Sequence, residues 1–222
     1  MRVSLTDAGK RFNRDWIFRH FTYTFIEGTS YAIVGPNGSG KSTLLQVLSG
    51  AMEASEGIIQ YSDAGSQNAD SHSLSATSHL SPVIQENVYK QVSICAPYLD
   101  VIEEMTLKEF LAFHQQFKPL LPSVDIDSII TIMGLQEAIH KQIRYYSSGM
   151  KQRVKLAQAI FSDTPFLLLD EPCTNLDTAG IDLYNRLIEE YCKNRLIVVS
   201  SNDETEYRFC SEKINITDYK KK

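Results

Sequence analysis

Three segments of the chain are runs of mostly apolar residues without a regular alternation of polar ones. They are residues 30–34, 166–169 and 196–200, and none is longer than five residues. Strands buried on both faces of a parallel sheet have this pattern, because helices cover the sheet on both sides. We therefore expect residues 166–169 to be a buried strand of a parallel sheet, residues 196–200 to be another buried strand, and residues 30–34 to be a strand as well.

Other segments have the repeat of apolar residues that is typical of an amphipathic strand or of an amphipathic helix. Residues 21–25 alternate aromatic and polar side chains, which is typical of a half-buried antiparallel strand, and the first 34 residues are expected to hold two or three short strands. Elsewhere, apolar side chains recur every three or four positions, which indicates helices. Further strands are predicted at 58–61 and 88–95, and helices at 41–49, 150–161 and 178–191.

The middle of the chain differs from both flanks. Residues 103–142 have helical periodicity, with two prolines in the loop 118–123 and a second predicted helix over 124–133. Because this block lies inside a β-containing chain, we interpret residues 98–147 as a helical subdomain inserted into one domain. The remaining parts, 1–97 and 148–222, would form its β and α/β core. Seven of the twenty residues 62–81 are serine, which predicts a mobile surface loop.

The charge, the cysteines and the lengths of the apolar runs limit the kinds of protein that this chain can be. The 222 residues include 22 basic and 27 acidic side chains, and this net charge of −5 is not that of a generic nucleic-acid binder, so no nucleic-acid partner is expected. The four cysteines lack the spacing of a metal or redox site, which indicates free thiols in a reducing compartment. No signal-like segment or apolar run near ~20 residues is visible. We expect a cytoplasmic protein whose membrane role, if any, comes through a partner.

The strongest motif lies between the first apolar strand and the helix that follows it. Residues 35–43, Gly-Pro-Asn-Gly-Ser-Gly-Lys-Ser-Thr, fit the pattern G-x-x-x-x-G-K-[ST] in the strand–helix context that this motif requires. Glycines let backbone N–H groups converge on a phosphate, and the helix N-terminus adds positive potential. Lys41 can reach the β- and γ-phosphates, and Ser42 can coordinate Mg²⁺. The alternative is a glycine-rich turn with an incidental lysine. The candidate nucleotide ligands are Gly35, Asn37, Gly38, Ser39, Gly40, Lys41, Ser42 and Thr43.

Two adjacent carboxylates follow the apolar run 166–169. Asp170 would hold Mg²⁺ through water, and Glu171 would orient the attacking water and accept its proton. A solvated turn is the other reading of such a pair, but the phosphate loop upstream favours a Walker B site. The sequence thus predicts ATP and Mg²⁺ as ligands, with Glu171 and Lys41 as catalytic residues.

A third motif gives the chain a family resemblance. Residues 146–153, Tyr-Ser-Ser-Gly-Met-Lys-Gln-Arg, resemble the signature of the ATP-binding cassette (ABC) ATPases, usually Leu-Ser-Gly-Gly-Gln, and Gly149 lies 21 positions before Asp170. The resemblance covers almost the whole chain. It implies an α/β fold, a P-loop NTPase core of ABC type with an N-terminal antiparallel β subdomain and an inserted helical subdomain. It also implies that Ser147, Ser148 and Gly149 contact a γ-phosphate held by a second copy of the chain.

Two smaller features agree with this resemblance. The pair Leu176 and Asp177 resembles the D-loop, which crosses the dimer interface in the family. Phe12 resembles the aromatic residue that stacks on adenine. Trp16 is the alternative for that role, and either ring could instead be a core or edge-strand aromatic.

The chain departs from the family pattern at two positions. Pro97 stands where the family has a glutamine that couples Mg²⁺ and γ-phosphate to the membrane partner, and proline can supply neither a donor nor a side-chain acceptor. Asn202 stands where the family has a histidine that contacts the γ-phosphate. Asparagine can donate a hydrogen bond there but cannot carry charge. We keep Asn202 as an auxiliary catalytic candidate.

The resemblance implies an ATP-hydrolysing subunit that powers a separate integral membrane transporter protein. Such a subunit would dimerise with a second copy of the cassette on binding ATP and sit at the inner face of the cell membrane through its partner. Two alternatives remain: a cytosolic ABC protein acting on ribosomes or DNA, and an ATP-sensing module with little hydrolysis. The sequence leaves the cargo and the direction of transport open.

Overall fold

The computed structural model describes residues 1–62 and 87–220. Within these residues, three antiparallel strands form a first sheet in the order β2-β1-β4. Strands β1 (Arg2–Phe12) and β2 (Asp15–Ile26) have 11 and 12 residues, so they are longer than the short strands expected there. Strand β4 (Glu56–Ser62) pairs with the other edge of β1.

A second sheet forms the centre of the described chain. Its strands run parallel in the order β5 (Val92–Cys95), β6 (Phe166–Asp170), β7 (Leu196–Ser200), β3 (Ser30–Val34) and β8 (Glu212–Asn215). The three uninterrupted apolar runs become β3, β6 and β7, which confirms that prediction. Strands β6 and β7 are buried at every position, as strands covered on both faces must be.

Helices cover both faces of this sheet, and five of the described helices, α3 to α7, begin after a residue whose side chain caps the first turn. Asp177 accepts a hydrogen bond from the N–H of Gly180 and starts the helix that was predicted over 178–191. The helices are α1 (Lys41–Leu48), α2 (Val88–Gln91), α3 (Leu107–His114), α4 (Ile126–Ile132), α5 (Ser148–Ile160), α6 (Thr178–Tyr191) and α7 (Glu204–Tyr207), with 3₁₀ turns at Gln136–Ala138, Ile143–Tyr145 and Ile216–Tyr219.

Two predictions about the middle of the chain were wrong in extent. Residues 88–95 are not one strand, because pairing with β6 begins only at Val92, and the unpaired residues before it close one helical turn. The block 103–142 is not helical from its start. Thr106 accepts the N–H of Glu109 while the Glu109 carboxylate accepts from Thr106, and this capping box starts α3 at Leu107. The serine-rich segment, apart from Ser62, lies outside the described residues.

Two apolar clusters pack on opposite faces of the parallel sheet. In β6, Phe166 and Leu168 contribute to the cluster with α1 and the antiparallel sheet, whereas Leu167 and Leu169 contribute to the cluster with α3–α6. Side chains alternate between the faces of a strand, so Asp170 continues the α1 face. Across residues 1–62 and 87–220, no helix combines the length and apolar character needed to cross a bilayer.

Candidate functional site

The phosphate loop has the backbone that its glycines allow. Gly35, Gly38 and Gly40 all have positive φ, at 147°, 74° and 106°, and Gly40 directly precedes α1. A Cβ atom on Gly40 would lie 2.4 Å from Cγ2 of Ile17, so β2 also requires glycine there. The loop therefore wraps closely around the start of α1, where backbone N–H groups have no intrahelical acceptor.

Lys41 lies folded over this loop. Its ammonium donates to the carbonyl oxygens of Gly35 at 2.8 Å and Pro36 at 3.4 Å, and the residue is 5% exposed. A buried ammonium held by two neutral carbonyls has no anionic partner in these contacts, which leaves its charge available to a phosphate. Ser39, in the same loop, has a buried Oγ without a hydrogen-bond partner among the described residues.

Asp170 ends β6 on the face that carries the phosphate loop. It is 2% exposed, and its Oδ1 atom has no hydrogen-bond partner in the described part of the chain. Burial raises the pKa of Asp170, while the hydroxyls of Ser42 and Ser200 and the ammonium of Lys41 lower it. A buried carboxylate oxygen without a partner, beside the Ser42 hydroxyl, is the donor set that suits Mg²⁺. The residues present therefore fit this ion.

Glu171 adopts a strained backbone immediately after Asp170. Its φ of 44° lies in the left-handed region, which is uncommon for a residue with a Cβ. Two neighbours hold it: its N–H donates to the Ser200 carbonyl at 2.8 Å, and its carbonyl accepts from the Thr174 hydroxyl at 2.9 Å. Strain that is fixed from both sides is common at functional sites, where it directs a side chain to a required place.

The structure brings seven of the predicted residues, six of the phosphate loop and helix start together with Glu171, around one cavity of about 220 Å³. Glu171 lines the same cavity as the phosphate loop, so the proposed base and the proposed phosphate ligands border one space. Asn202 is connected to this cavity because its Nδ2 donates to Oδ1 of Asn37 at 2.7 Å. The lining residues are Ile17, Asn37, Gly38, Gly40, Lys41, Ser42, Thr43 and Glu171.

The signature residues line a different cavity, of about 540 Å³. Ser147 caps α5 by accepting the N–H of Met150 at 3.3 Å, and Ser148 and Gly149 form the first turn of that helix. Leu176 and Asp177, the pair that resembles the D-loop, line the same cavity together with Asn175. The phosphate-loop cavity and the signature cavity share no lining residue, so these two parts of the predicted site are not joined within one chain.

The two candidate adenine-stacking rings differ in their surroundings. The guanidinium groups of Arg19 and Arg11 lie 4.4 and 5.5 Å from the Trp16 ring centroid. Arg19 is itself held by Glu56 at 2.6 Å, so Trp16 packs into a fixed cluster on the antiparallel sheet. Phe12 is 46% exposed at the end of β1, and the Lys10 ammonium lies 5.4 Å from its ring centroid. The more accessible ring is therefore Phe12.

Pro97 follows β5 in a turn that is tied to α5. Its carbonyl accepts from the Lys155 ammonium at 3.0 Å, and the preceding Cys95 thiol accepts from the Gln152 amide at 3.7 Å. The backbone of this turn is thus anchored to α5, although the Pro97 side chain offers no hydrogen-bonding group.

Two residues of the site, Ile17 and Ser200, belong to none of the sequence motifs. Ile17 lines the phosphate cavity and packs on Gly40, a contact between segments that only the fold brings together. Ser200 pairs with Asp170 in the parallel register and has a fully buried Oγ without a hydrogen bond of ordinary geometry. A signal for Ser200 did exist, because it breaks the apolar face formed by Leu196 and Val198.

Comparison with known proteins agrees with this geometry. Residues 18–174 match the sequence profile of the ABC transporter family. An uncharacterized ABC transporter ATP-binding protein of Bacillus subtilis, YhcH, is 28% identical over 96% of this chain, which spans 66% of that protein. The cytochrome c biogenesis ATP-binding export protein CcmA of Rhizobium meliloti is 28% identical, with 92% of each chain covered.

A solved structure shows the same fold. The dimeric bacterial ABC transporter cassette MJ0796 superposes with a TM-score of 0.74 at 19% identity, covering 96% of this chain and 94% of its own. The predicted fold, a P-loop core with an antiparallel β subdomain, is thereby confirmed. With this fold and the match over residues 18–174, the chain belongs to the ABC transporter family as an ATP-binding cassette.

Proposed function

We propose that this chain binds and hydrolyses ATP and thereby powers a separate membrane transporter protein. The observation that carries the proposal is the cavity in which Glu171 faces Lys41, Ser42 and the glycine-rich loop. The family match and relatives such as CcmA, named an ATP-binding export protein, support the same function.

Each residue around the cavity has a distinct task in this proposal. The loop amides and Lys41 bind the β- and γ-phosphates and offset the charge that develops during transfer. Ser42 and Asp170 would hold Mg²⁺, which supplies charge neutralisation at the phosphate oxygens. Glu171 orients a water for attack on the γ-phosphorus and accepts its proton as ADP leaves. Asn202 donates a neutral hydrogen bond near the γ-phosphate.

The separation of the two cavities supports a dimer as the active form. One chain holds a nucleotide on its phosphate loop, and the helix α5 that starts after Ser147 would approach the γ-phosphate from a second copy. The positive end of a helix and small residues suit that contact. The cassette MJ0796 was solved as a dimer, which is consistent with this arrangement.

Exposed apolar side chains beside Pro97 support a membrane partner. Tyr98, Leu99 and Ile102 are 43%, 37% and 37% exposed, in the segment between β5 and α3. Large apolar residues exposed together commonly mark a protein–protein contact. We propose that this segment receives a cytoplasmic helix of the transporter, which would place the cassette at the inner face of the membrane.

The test compares the wild-type chain with Glu171→Gln. We expect slow Mg-dependent ATP hydrolysis by the wild type and loss of nearly all turnover in the variant, with ATP affinity within about threefold, because binding uses the phosphate loop. With Mg-ATP the variant should elute as a dimer in sizing chromatography. Absence of turnover in the wild type, even with its membrane partner, would favour an ATP-sensing module instead.

The adenine contact has its own matched pair of variants. Phe12→Ala should weaken ATP binding by about tenfold, because base–aromatic stacking contributes about 1–3 kcal/mol. Trp16→Ala should leave the affinity nearly unchanged, since its ring faces Arg19 and Arg11. The reverse order of effects would assign adenine stacking to Trp16.

A further inference from the structure

One peptide group next to the catalytic glutamate is held at both of its ends by buried side chains. It joins Pro172 to Cys173. The amide Nε2 of Gln152 donates to the Pro172 carbonyl at 2.6 Å, and Oε1 of Glu206 accepts from the Cys173 N–H at 2.7 Å. Gln152 is 4% exposed and Glu206 is 5% exposed.

The two side chains belong to two different helices, one next to the signature residues and the other next to Asn202. Gln152 lies in the second turn of α5, the helix that starts after Ser147. Glu206 lies in α7, which starts two residues after Asn202. The peptide itself follows Glu171 directly and precedes the segment 174–177, so it lies between the base and the D-loop-like residues.

A second contact joins the same elements. A Cβ atom on Gly149 would lie 3.0 Å from the Asn175 carbonyl oxygen, so the first turn of α5 packs directly on the backbone that follows the peptide. On the opposite side, the Tyr184 hydroxyl donates to the Glu206 carbonyl at 2.8 Å and fixes α7 against α6. The peptide therefore lies between two anchored helices.

Stability alone does not account for the carboxylate at position 206. A buried carboxylate is expensive unless a cation pairs with it, and the ion pairs formed by the described residues do not include Glu206. Burial raises the pKa of Glu206, and the negative charges of Asp203 and Glu171 raise it further. Hydrogen bonds from the Ser201 hydroxyl and from the Cys173 N–H lower this pKa. Such a group is expected where its hydrogen bond to the Cys173 N–H serves the site.

We infer that Gln152 and Glu206 are positioning residues that clamp the Pro172–Cys173 peptide, so that α5 and the segment after Asn202 together fix the backbone of Glu171. The inference rests on the proposed function, because it concerns the geometry of the hydrolytic base. According to this inference, α5, the helix that starts at the signature, contacts the Pro172–Cys173 peptide and thereby helps to position Glu171 of the same chain.

The experiment uses four single variants of the full chain and the double variant Gln152→Met/Glu206→Met. Gln152→Met and Glu206→Met each remove one hydrogen bond at similar side-chain size, and Glu206→Gln keeps an acceptor oxygen. Thr164→Val is the matched control, because it removes a buried hydroxyl that contacts Ser93 and Arg195 at the other end of the sheet. Two readouts are measured: amide hydrogen exchange at Cys173, and kcat and KM for ATP.

We expect faster exchange at Cys173 in both Met variants, and exchange close to the wild-type rate in Glu206→Gln and Thr164→Val. In the Met variants kcat should fall about tenfold with KM within about twofold, because the base is displaced while the phosphate loop is intact. The double Met variant should lose little more than either single one, because both act on the same peptide. Glu206→Gln should recover most of kcat.

The two readouts keep the clamp separate from the proposed function. A wild-type chain that does not hydrolyse ATP would contradict the proposed function, and exchange at Cys173 would still decide whether the clamp exists. Unchanged Cys173 exchange in both Met variants overturns the clamp. So does a double variant whose kcat loss is the product of the single losses, since the residues would then act independently.

Discussion

The two ends of the parallel sheet differ in whether their buried polar atoms have hydrogen-bond partners. At the carboxyl end, Ser39 Oγ, Asp170 Oδ1 and Ser200 Oγ are buried without hydrogen-bond partners in the residues described. At the amino end, the buried guanidinium of Arg195 donates to the Ile160 carbonyl and to two hydroxyls, at 2.8–2.9 Å, and only its Nε is unpaired.

This difference suggests that the polar residues at one end of the sheet serve a ligand, whereas those at the other end stabilise the fold. Folding normally pairs buried polar groups, and each unpaired one costs about 1–3 kcal/mol. The amino end follows that rule through side chains of the chain itself. The carboxyl end leaves its polar atoms where a phosphate and a cation would pair with them. Substitutions at the carboxyl end should therefore change activity, and substitutions at the amino end should change stability.

The largest effect is expected from Lys41→Met. Loss of the ammonium should lower turnover by about 10²–10³-fold, the range seen when one preorganised charge-stabilising donor is removed. The thermal midpoint should not fall, because the variant no longer buries an ammonium whose hydrogen bonds, within the described residues, go only to the neutral carbonyls of Gly35 and Pro36. Turnover and thermal unfolding of the same preparation measure both. A large drop in midpoint would mean that Lys41 belongs to the structural framework.

The opposite pattern is expected for Arg195→Leu. Removing three hydrogen bonds from a buried site should lower the free energy of unfolding by about 2–4 kcal/mol. Turnover per folded molecule should stay within about twofold, because the residue lies at the far end of β7. Denaturant unfolding and nucleotide turnover test this pair of expectations. Thr164→Val, which removes one hydroxyl of the network, should show the same pattern at about 1 kcal/mol.

A smaller change in activity is expected at Asn202. Replacing it with histidine supplies a group that can be charged, and charge-assisted hydrogen bonds are about twice as strong as neutral ones. Turnover of Asn202→His should therefore rise by about tenfold at most, which corresponds to about 1.4 kcal/mol. Asn37→Ala is the control for the lost Asn37–Asn202 contact. A lower turnover in Asn202→His with unchanged ATP affinity would show that the ring does not fit.

The smallest effect concerns pH and lies away from the nucleotide. Burial, with a smaller contribution from Lys118, lowers the pKa of His114 to about 4, and its Nε2 contacts the Ser162 hydroxyl at 2.8 Å. The unfolded chain binds this proton near pH 6.5, so stability should fall as pH drops from about 6.5 to 4. For this partly exposed ring we expect about 1 kcal/mol. His114→Gln should lose that pH dependence, and an unchanged slope would assign it to other groups.

The sequence predicted the parts of the molecule that local patterns determine. Strands β3, β6 and β7 were predictable because burial on both faces requires continuous apolar residues. The positions of Lys41, Asp170 and Glu171 followed, since each lies directly after one of these strands or at the start of the next helix. Lys41 and Glu171 line one cavity because parallel strands end at the same edge of the sheet.

What the sequence did not predict depends on contacts between distant segments. The start of β5 was misplaced because only Val92–Cys95 finds a partner in β6, and no local pattern shows where pairing begins. Gln152 and Glu206 meet at one peptide although 54 positions separate them in the chain. The different surroundings of Phe12 and Trp16 depend on the two arginines that pack on the indole, and no local pattern shows these contacts.

The central claim is that the buried polar atoms at the carboxyl end of the sheet bind a ligand and do not stabilise the fold. Thermal unfolding of Asp170→Asn, with and without Mg-ATP, tests this claim most directly. Both the variant and its reference carry Glu171→Gln, so that ATP persists during the measurement. We expect the midpoint without nucleotide to rise by a few degrees, because a neutral amide is easier to bury than a carboxylate with one oxygen unpaired among the described residues. We expect the midpoint increase caused by Mg-ATP to shrink strongly, because a ligand stabilises only by binding the native state. A variant that is less stable without nucleotide and keeps the full Mg-ATP increase would show that Asp170 serves the fold and not the ligand.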